Sequence, residues 1–246
     1  MKKEIEEVII NDVRRPLTKV GAANEQALIR ILKAYACYNP AIEYCQGMSY
    51  IVEFLFVIIR DEVFTFAFFK TVIENFKMNQ LYANELPLLK KLFYQLDRLL
   101  FIVKPNLMTY FRNEEINANF FSSAWFMTLF THTMRNEDEE VDEGLLAIWD
   151  TFFLYGWKAL FKIAIFALEM VGEKLMERNP DQMMNVIKDL LKADFLRGGE
   201  IAREFKRRYK KIEVTNEMLD LLEEEYNSVK DYKVETIITS KGIFHI

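Results

Sequence analysis

Tyr44-Cys45-Gln46-Gly47-Met48-Ser49-Tyr50-Ile51-Val52-Glu53-Phe54-Leu55-Phe56-Val57-Ile58-Ile59 reads as a turn that opens a helix. Met48, Ile51, Val52, Leu55, Phe56 and Ile59 recur at three- and four-residue spacing, which gathers their side chains on one helical face. Gly47 stands just before this run and permits a close backbone approach or an unusual φ. Upstream, Leu28, Ile31, Leu32 and Tyr35 form a similar stripe. Asn39-Pro40 ends it, because the residue before a proline is pushed away from helical geometry.

The same periodicity continues downstream. Leu89, Leu92, Phe93, Leu96, Leu99 and Leu100 make a third stripe, opened by Pro87 at a first-turn position. Phe121, Trp125, Leu129 and Phe130 predict another helix, and Leu145, Ile148, Trp149, Phe152 and Phe153 one more. These stripes, with Cys37, are expected in the core. Asn179-Pro180-Asp181 signals the start of a helix ending near Lys192, and Thr215 caps a last helix carrying Leu219, Leu222 and Tyr226. Gly 8 and Pro 5 are too few for a strand-and-turn fold in 246 residues, and 51% hydrophobic residues supply a large core. The expected fold is all-α. No Gly-, Ser- or Pro-rich break divides the chain, so one helical domain is expected over residues 1–230. Val234-Glu235-Thr236-Ile237-Ile238-Thr239 predicts a short extended tail within 231–246.

Several classes are disfavoured. The formal net charge of −5 speaks against a nucleic-acid partner, which calls for a basic surface. Cys37 and Cys45 make no disulfide framework, which suits a reducing compartment. With His132 and His245 they make no convincing zinc set, so no metal site is expected. His132 is expected in the core or at its edge. The N-terminus is charged with no apolar run behind it, so no signal peptide is expected. The longest uncharged run, Ile116 to Met134, carries too many Asn, Ser and Thr to make a good membrane span. No phosphate-binding glycine loop is present, so the chain is expected to hold no nucleotide cofactor of its own. The acidic run Glu137-Asp138-Glu139-Glu140 is expected as a solvated loop.

A second stretch, Ile9-Ile10-Asn11-Asp12-Val13-Arg14-Arg15, brings chemistry. Asp12 lies one turn behind Arg15, so its carboxylate can orient the guanidinium. Pro16 forces Arg15 to a helix end or bend, a place from which a side chain can project. Arg14 is the alternative cation. Arg15 and Gln46 together offer a guanidinium and a carboxamide. GTP hydrolysis uses those two groups, one against developing phosphate charge and one to orient the attacking water. Tyr44 can serve as a support for this pair or as a packed aromatic. Gly47 lets the Gln46 turn approach a partner.

Ile9-x-x-Asp12-x-x-Arg15 followed by Tyr44-x-Gln46-Gly47-Met48 resembles the TBC family, the GTPase-activating proteins of Rab GTPases. Phe120-Phe121-Ser122-Ser123-Ala124-Trp125 and Ile148-Trp149-Asp150-Thr151-Phe152-Phe153 are similar to two later blocks of that family. The resemblance implies that Arg15 is an arginine finger and Gln46 a glutamine finger, and its register prefers Arg15 over Arg14. It implies a GTP-bound Rab as partner, with GTP and Mg²⁺ carried by that Rab. It also implies a role in vesicle trafficking from the cytoplasm, peripheral to endomembranes, reached through the Rab alone. The alternative is a TBC-fold scaffold that grips a GTPase or effector without stimulating hydrolysis. Three departures stand out. Pro16 replaces a usual Thr, and Glu43 replaces a frequent Gly. The family's usual N-terminal segment, with its Arg and Trp, is expected to be missing, because the chain begins just ahead of the arginine motif.

Overall fold

The structure is a computed structural model. It describes residues 2–14, 22–134, 143–176 and 207–229, together with 178, 179, 181–183, 185–187 and 205. The described residues are mostly helical, and no strand occurs among them. Helices α1 (Lys3–Val13), α2 (Ala22–Tyr38), α3 (Met48–Ile59) and α4 (Glu62–Asn75) pack on one another. They are followed by α5 (Asn79–Tyr82), α6 (Pro87–Val103), α7 (Pro105–Asn113) and α8 (Ala118–Met127), then α9 (Glu143–Tyr155), α10 (Trp157–Leu175) and α11 (Asn216–Ser228). Helix α6 is the central strut of the second group, meeting α5, α7, α8 and α11.

Local chemistry explains where these helices start and stop. Asp61 caps α4 by accepting the Phe64 N–H at 2.9 Å, and Thr215 caps α11 by accepting that of Met218 at 3.1 Å. Pro87 sits in the first turn of α6, where its absent N–H costs nothing. Asn179 Oδ1 accepts the Gln182 N–H at 3.0 Å, as expected of a helix start. Where that helix ends, like the segment 231–246 and the acidic run 137–140, lies outside the described residues.

The apolar stripes close into one core. Leu28, Ile31, Leu32 and Tyr35 of α2 are buried, as are Leu89, Leu92, Phe93, Leu96, Leu99 and Leu100 of α6. Each such side chain contributes roughly 1.5–3 kcal/mol relative to its exposed state. Aromatic contacts tie the two groups of helices together. Phe54 of α3 meets Trp149 of α9 at 4.7 Å, Phe76 after α4 meets Phe152 at 4.2 Å, and Trp157 Nε1 donates to the Phe76 carbonyl at 3.0 Å. Helix α11 is held to α6 by Gln95 Nε2, which donates to the Leu219 carbonyl at 2.9 Å, and by Lys91–Glu223 at 2.7 Å. Among the described residues no helix is long and apolar enough to cross a membrane.

Three expectations are corrected. Cys37 is exposed, because the neighbouring Ala36 takes the core-facing position. Helix α8 closes at Met127, so Leu129 and Phe130 do not extend its stripe. They take left-handed φ values of 49° and 67°, and Phe130 folds back to stack on Trp125 at 5.5 Å. Phe153 is 39% exposed, because α9 turns that flank outward. His132 is half-buried at the edge of the core, its ring 4.6 Å from that of Tyr50.

Candidate functional site

The first motif runs to the end of α1 and the second opens α3, and a partly buried hydrogen bond joins them. Ile9 and Val13 lie in the core and fix the rotation of α1. That rotation turns Asp12 inward, where it is only 6% exposed. The Tyr44 hydroxyl donates to Asp12 Oδ2 at 2.7 Å. Ser49, in the first turn of α3, is buried as well, at 5% exposure. A buried carboxylate is costly unless hydrogen-bonded, and Tyr44 supplies a donor. Tyr44 is thus both a packed aromatic and a link between the motifs. Ser49 was not singled out by pattern. Its signal was a hydroxyl among apolar residues in the first turn of a helix.

The electrostatics follow from this burial. Burial, then the Asp12 charge, holds the Tyr44 phenol well above its usual 10.0. The neutral phenol is therefore favoured in the folded chain. Its contribution to stability is complete below pH 10 and is lost as pH rises beyond that. Burial and Asp12 also push the Cys45 thiol up to about 12. Cys45 is thus a neutral thiol at physiological pH and a poor nucleophile. Tyr44→Phe should remove the donor to Asp12 and lower unfolding stability by about 1–3 kcal/mol. Urea titration measures this, and an unchanged midpoint would contradict the link.

Gln46 and Gly47 form the turn between Tyr44 and α3, with Gln46 half-buried. Gly47 adopts φ 108°, a conformation that a Cβ would strain, and Gly47 then stands as the N-cap of α3. This fixes the carboxamide-bearing residue at the mouth of a rigid, core-packed helix. Glu43, on the other side of Tyr44, also lies in the left-handed region, at φ 59°. This explains physically why glycine suits that position. The Glu43 carboxylate pairs with Lys2 Nζ at 3.3 Å, both groups being substantially exposed.

A left-handed residue with a Cβ costs roughly 1–2 kcal/mol. Glu43→Gly should therefore be more stable than Glu43→Ala by about 1 kcal/mol, because both variants lose the Lys2 pair and only alanine keeps the strain. Paired urea unfolding curves check this, and an alanine variant equal to or above glycine would contradict it.

Arg14 closes α1 in a helical conformation, and its Nε lies 2.6 Å from Glu25 Oε1 on α2. Arg15 and Pro16 lie outside the described residues. The structure thus brings Asp12, Tyr44, Gln46 and Gly47 into one locus, and Arg15 comes three residues after Asp12 in sequence. Among the described residues no group of three or more His, Cys, Asp or Glu could hold a metal ion.

The chain matches the family model of the Rab-GTPase-TBC domain over residues 1–176. It is 29% identical over 196 residues to the GTPase-activating protein GYP5 of Saccharomyces cerevisiae, covering 79% of this chain and 21% of that protein. It is 28% identical over 184 residues to the Rab GTPase-activating protein eat-17 of Caenorhabditis elegans, covering 73% of this chain and 20% of that protein. The chain thus spans about a fifth of the length of these curated relatives. Among solved structures, the fold is similar to the Chlamydomonas flagellar RabGAP TBC domain, with a TM-score of 0.64 at 20% identity. That match covers 76% of this chain and 62% of the other. The Ypt/Rab-GAP domain of Gyp1p gives a TM-score of 0.60 at 19% identity, covering 76% of this chain and 70% of that one. With a family model matching well over half its length, the chain belongs to the Rab-GTPase-TBC domain family.

Proposed function

We propose that this chain stimulates GTP hydrolysis on a Rab GTPase. The observation that supports this reading best is the Tyr44–Asp12 hydrogen bond, which seats the glutamine turn against the end of α1 that leads into Arg15. The GTPase-activating names of the relatives GYP5 and eat-17 point the same way. Arg15 supplies a planar guanidinium to the β/γ-phosphates as negative charge develops. Gln46 orients the attacking water through its carboxamide. Asp12, Tyr44 and Gly47 hold the glutamine turn against the end of α1. GTP and Mg²⁺ arrive with the GTP-bound Rab, and this chain contributes no cofactor of its own. Cys45 takes no covalent part, consistent with its raised pKa.

The catalytic unit runs to about residue 230, a reading supported by the docking of α11 on α6 beyond the matched region. The setting is the cytoplasmic face of endomembranes, where Rab GTPases act in vesicle trafficking. The test is phosphate release from a panel of GTP-loaded Rabs with and without the domain. Acceleration of at least one member is expected. Binding to a GTP-loaded Rab with no acceleration of any would instead establish a scaffold.

A further inference from the structure

Leu154, near the end of α9, exposes 73% of its surface and Tyr155 beside it 53%. The apolar ridge continues through Phe153, whose ring meets that of Phe68 on α4 at 5.7 Å. Lysines gather along its other side. Lys158, in the first turn of α10, places Nζ 5.8 Å from the centroid of the Tyr155 ring. One turn on, Lys162 Nζ lies 5.1 Å from the centroid of the Tyr209 ring and donates to the Tyr209 carbonyl at 3.5 Å. Tyr209 leads directly into Lys210 and Lys211, both exposed. Burial, and then the neighbouring Lys158 charge, lower the pKa of Lys162. Among the described residues, few acidic groups lie nearby. Glu169 is engaged by Lys104 and Arg208, Asp150 is exposed one turn before Leu154 on α9, and Glu213 is exposed two residues after Lys211.

The formal net charge of −5 opposes an anionic partner only at long range. Screening over about 8 Å at physiological ionic strength leaves the local patch to decide what docks there. An aliphatic and an aromatic residue ringed by lysines is the composition of an interfacial membrane contact. Protein interfaces instead deplete lysine and enrich arginine.

We propose that this patch docks the domain on an anionic lipid bilayer. Leu154 and Tyr155 enter the headgroup layer, while Lys158, Lys162, Lys210 and Lys211 face lipid phosphates and carboxylates. This contact is direct and is independent of any tether through a GTPase.

Flotation with phosphatidylcholine vesicles, with and without phosphatidylserine, tests the proposal and requires no GTPase. Its outcome is therefore separate from that of the hydrolysis reading. The domain should float with the phosphatidylserine vesicles at low salt and be released as salt rises. The double variant Lys210→Gln/Lys211→Gln should lower partitioning roughly thirtyfold, given what each basic residue contributes near an anionic surface. Leu154→Ser should weaken the flotation seen at low salt. Unchanged thermal unfolding of the variants would confirm that the fold is intact. Failure to float with phosphatidylserine vesicles at low salt would overturn the proposal. Equal binding to pure phosphatidylcholine, or a double variant that floats like the parent, would do the same. A domain that ignores vesicles but binds polyglutamate through these lysines would assign the patch to an acidic protein and overturn the membrane assignment.

Discussion

Arg15→Ala should lower the stimulated rate of GTP hydrolysis by about 10³–10⁵, the span an arginine finger contributes to phosphoryl transfer. The loss should fall on the chemical step and spare the fold. Ile9 and Val13 carry the burial of α1, and Asp12 keeps its bond from Tyr44 in the variant. Arg15→Lys should fail almost as badly, because a compact ammonium cannot present the flat, two-pronged donor set of a guanidinium. Arg14→Ala should cost far less. Its exposed pair with Glu25 is worth about 0–1 kcal/mol of stability, and its side chain lies along α2. Single-turnover phosphate release on the three variants reads this directly. A dead Arg14→Ala beside an active Arg15→Ala would shift the catalytic register by one residue.

Gln46→Ala should be the second large effect, a loss of about 10²–10³, as when one preorganised polar group is removed from a reacting centre. Gly47 keeps its φ of 108° and α3 its packing, so the variant should unfold at the same urea concentration as the parent. Its affinity for a Rab carrying a transition-state mimic of the γ-phosphate should fall much less than its rate. A proportionate loss of rate and affinity would make Gln46 a binding residue rather than one that orients water.

Much of the fold was legible because helical periodicity reports directly which face is buried. The stripes on α2 and α6 close into the core with the residues the spacing names, and that on α3 does so as far as Phe56, its last member Ile59 being half-buried. The reading faltered where tertiary packing overrode local pattern. Leu129 and Phe130 continue an apolar stripe on paper, yet the chain folds back so that Phe130 can stack on Trp125. Cys37 looked like a core residue by type, but its one-residue offset from Ala36 places it on the outer face. At the site, spacing alone paired Asp12 with the arginine that follows it. The bond from Tyr44 joins residues 32 apart in sequence, and no local period reports such a contact. Glu43 stood out only by comparison with a family pattern, and its φ of 59° supplies the physical reason for that pattern.

The central claim is that this chain supplies the glutamine as well as the arginine. A Rab whose own catalytic glutamine is changed to leucine tests it most directly. The GTP-loaded variant Rab is mixed with the parent domain and with Gln46→Ala, and phosphate release is followed through one turnover. The account predicts appreciable acceleration by the parent domain and little by Gln46→Ala. A variant Rab that the parent domain cannot accelerate, although it accelerates the wild-type Rab, would contradict the claim and leave the water-orienting role with the GTPase.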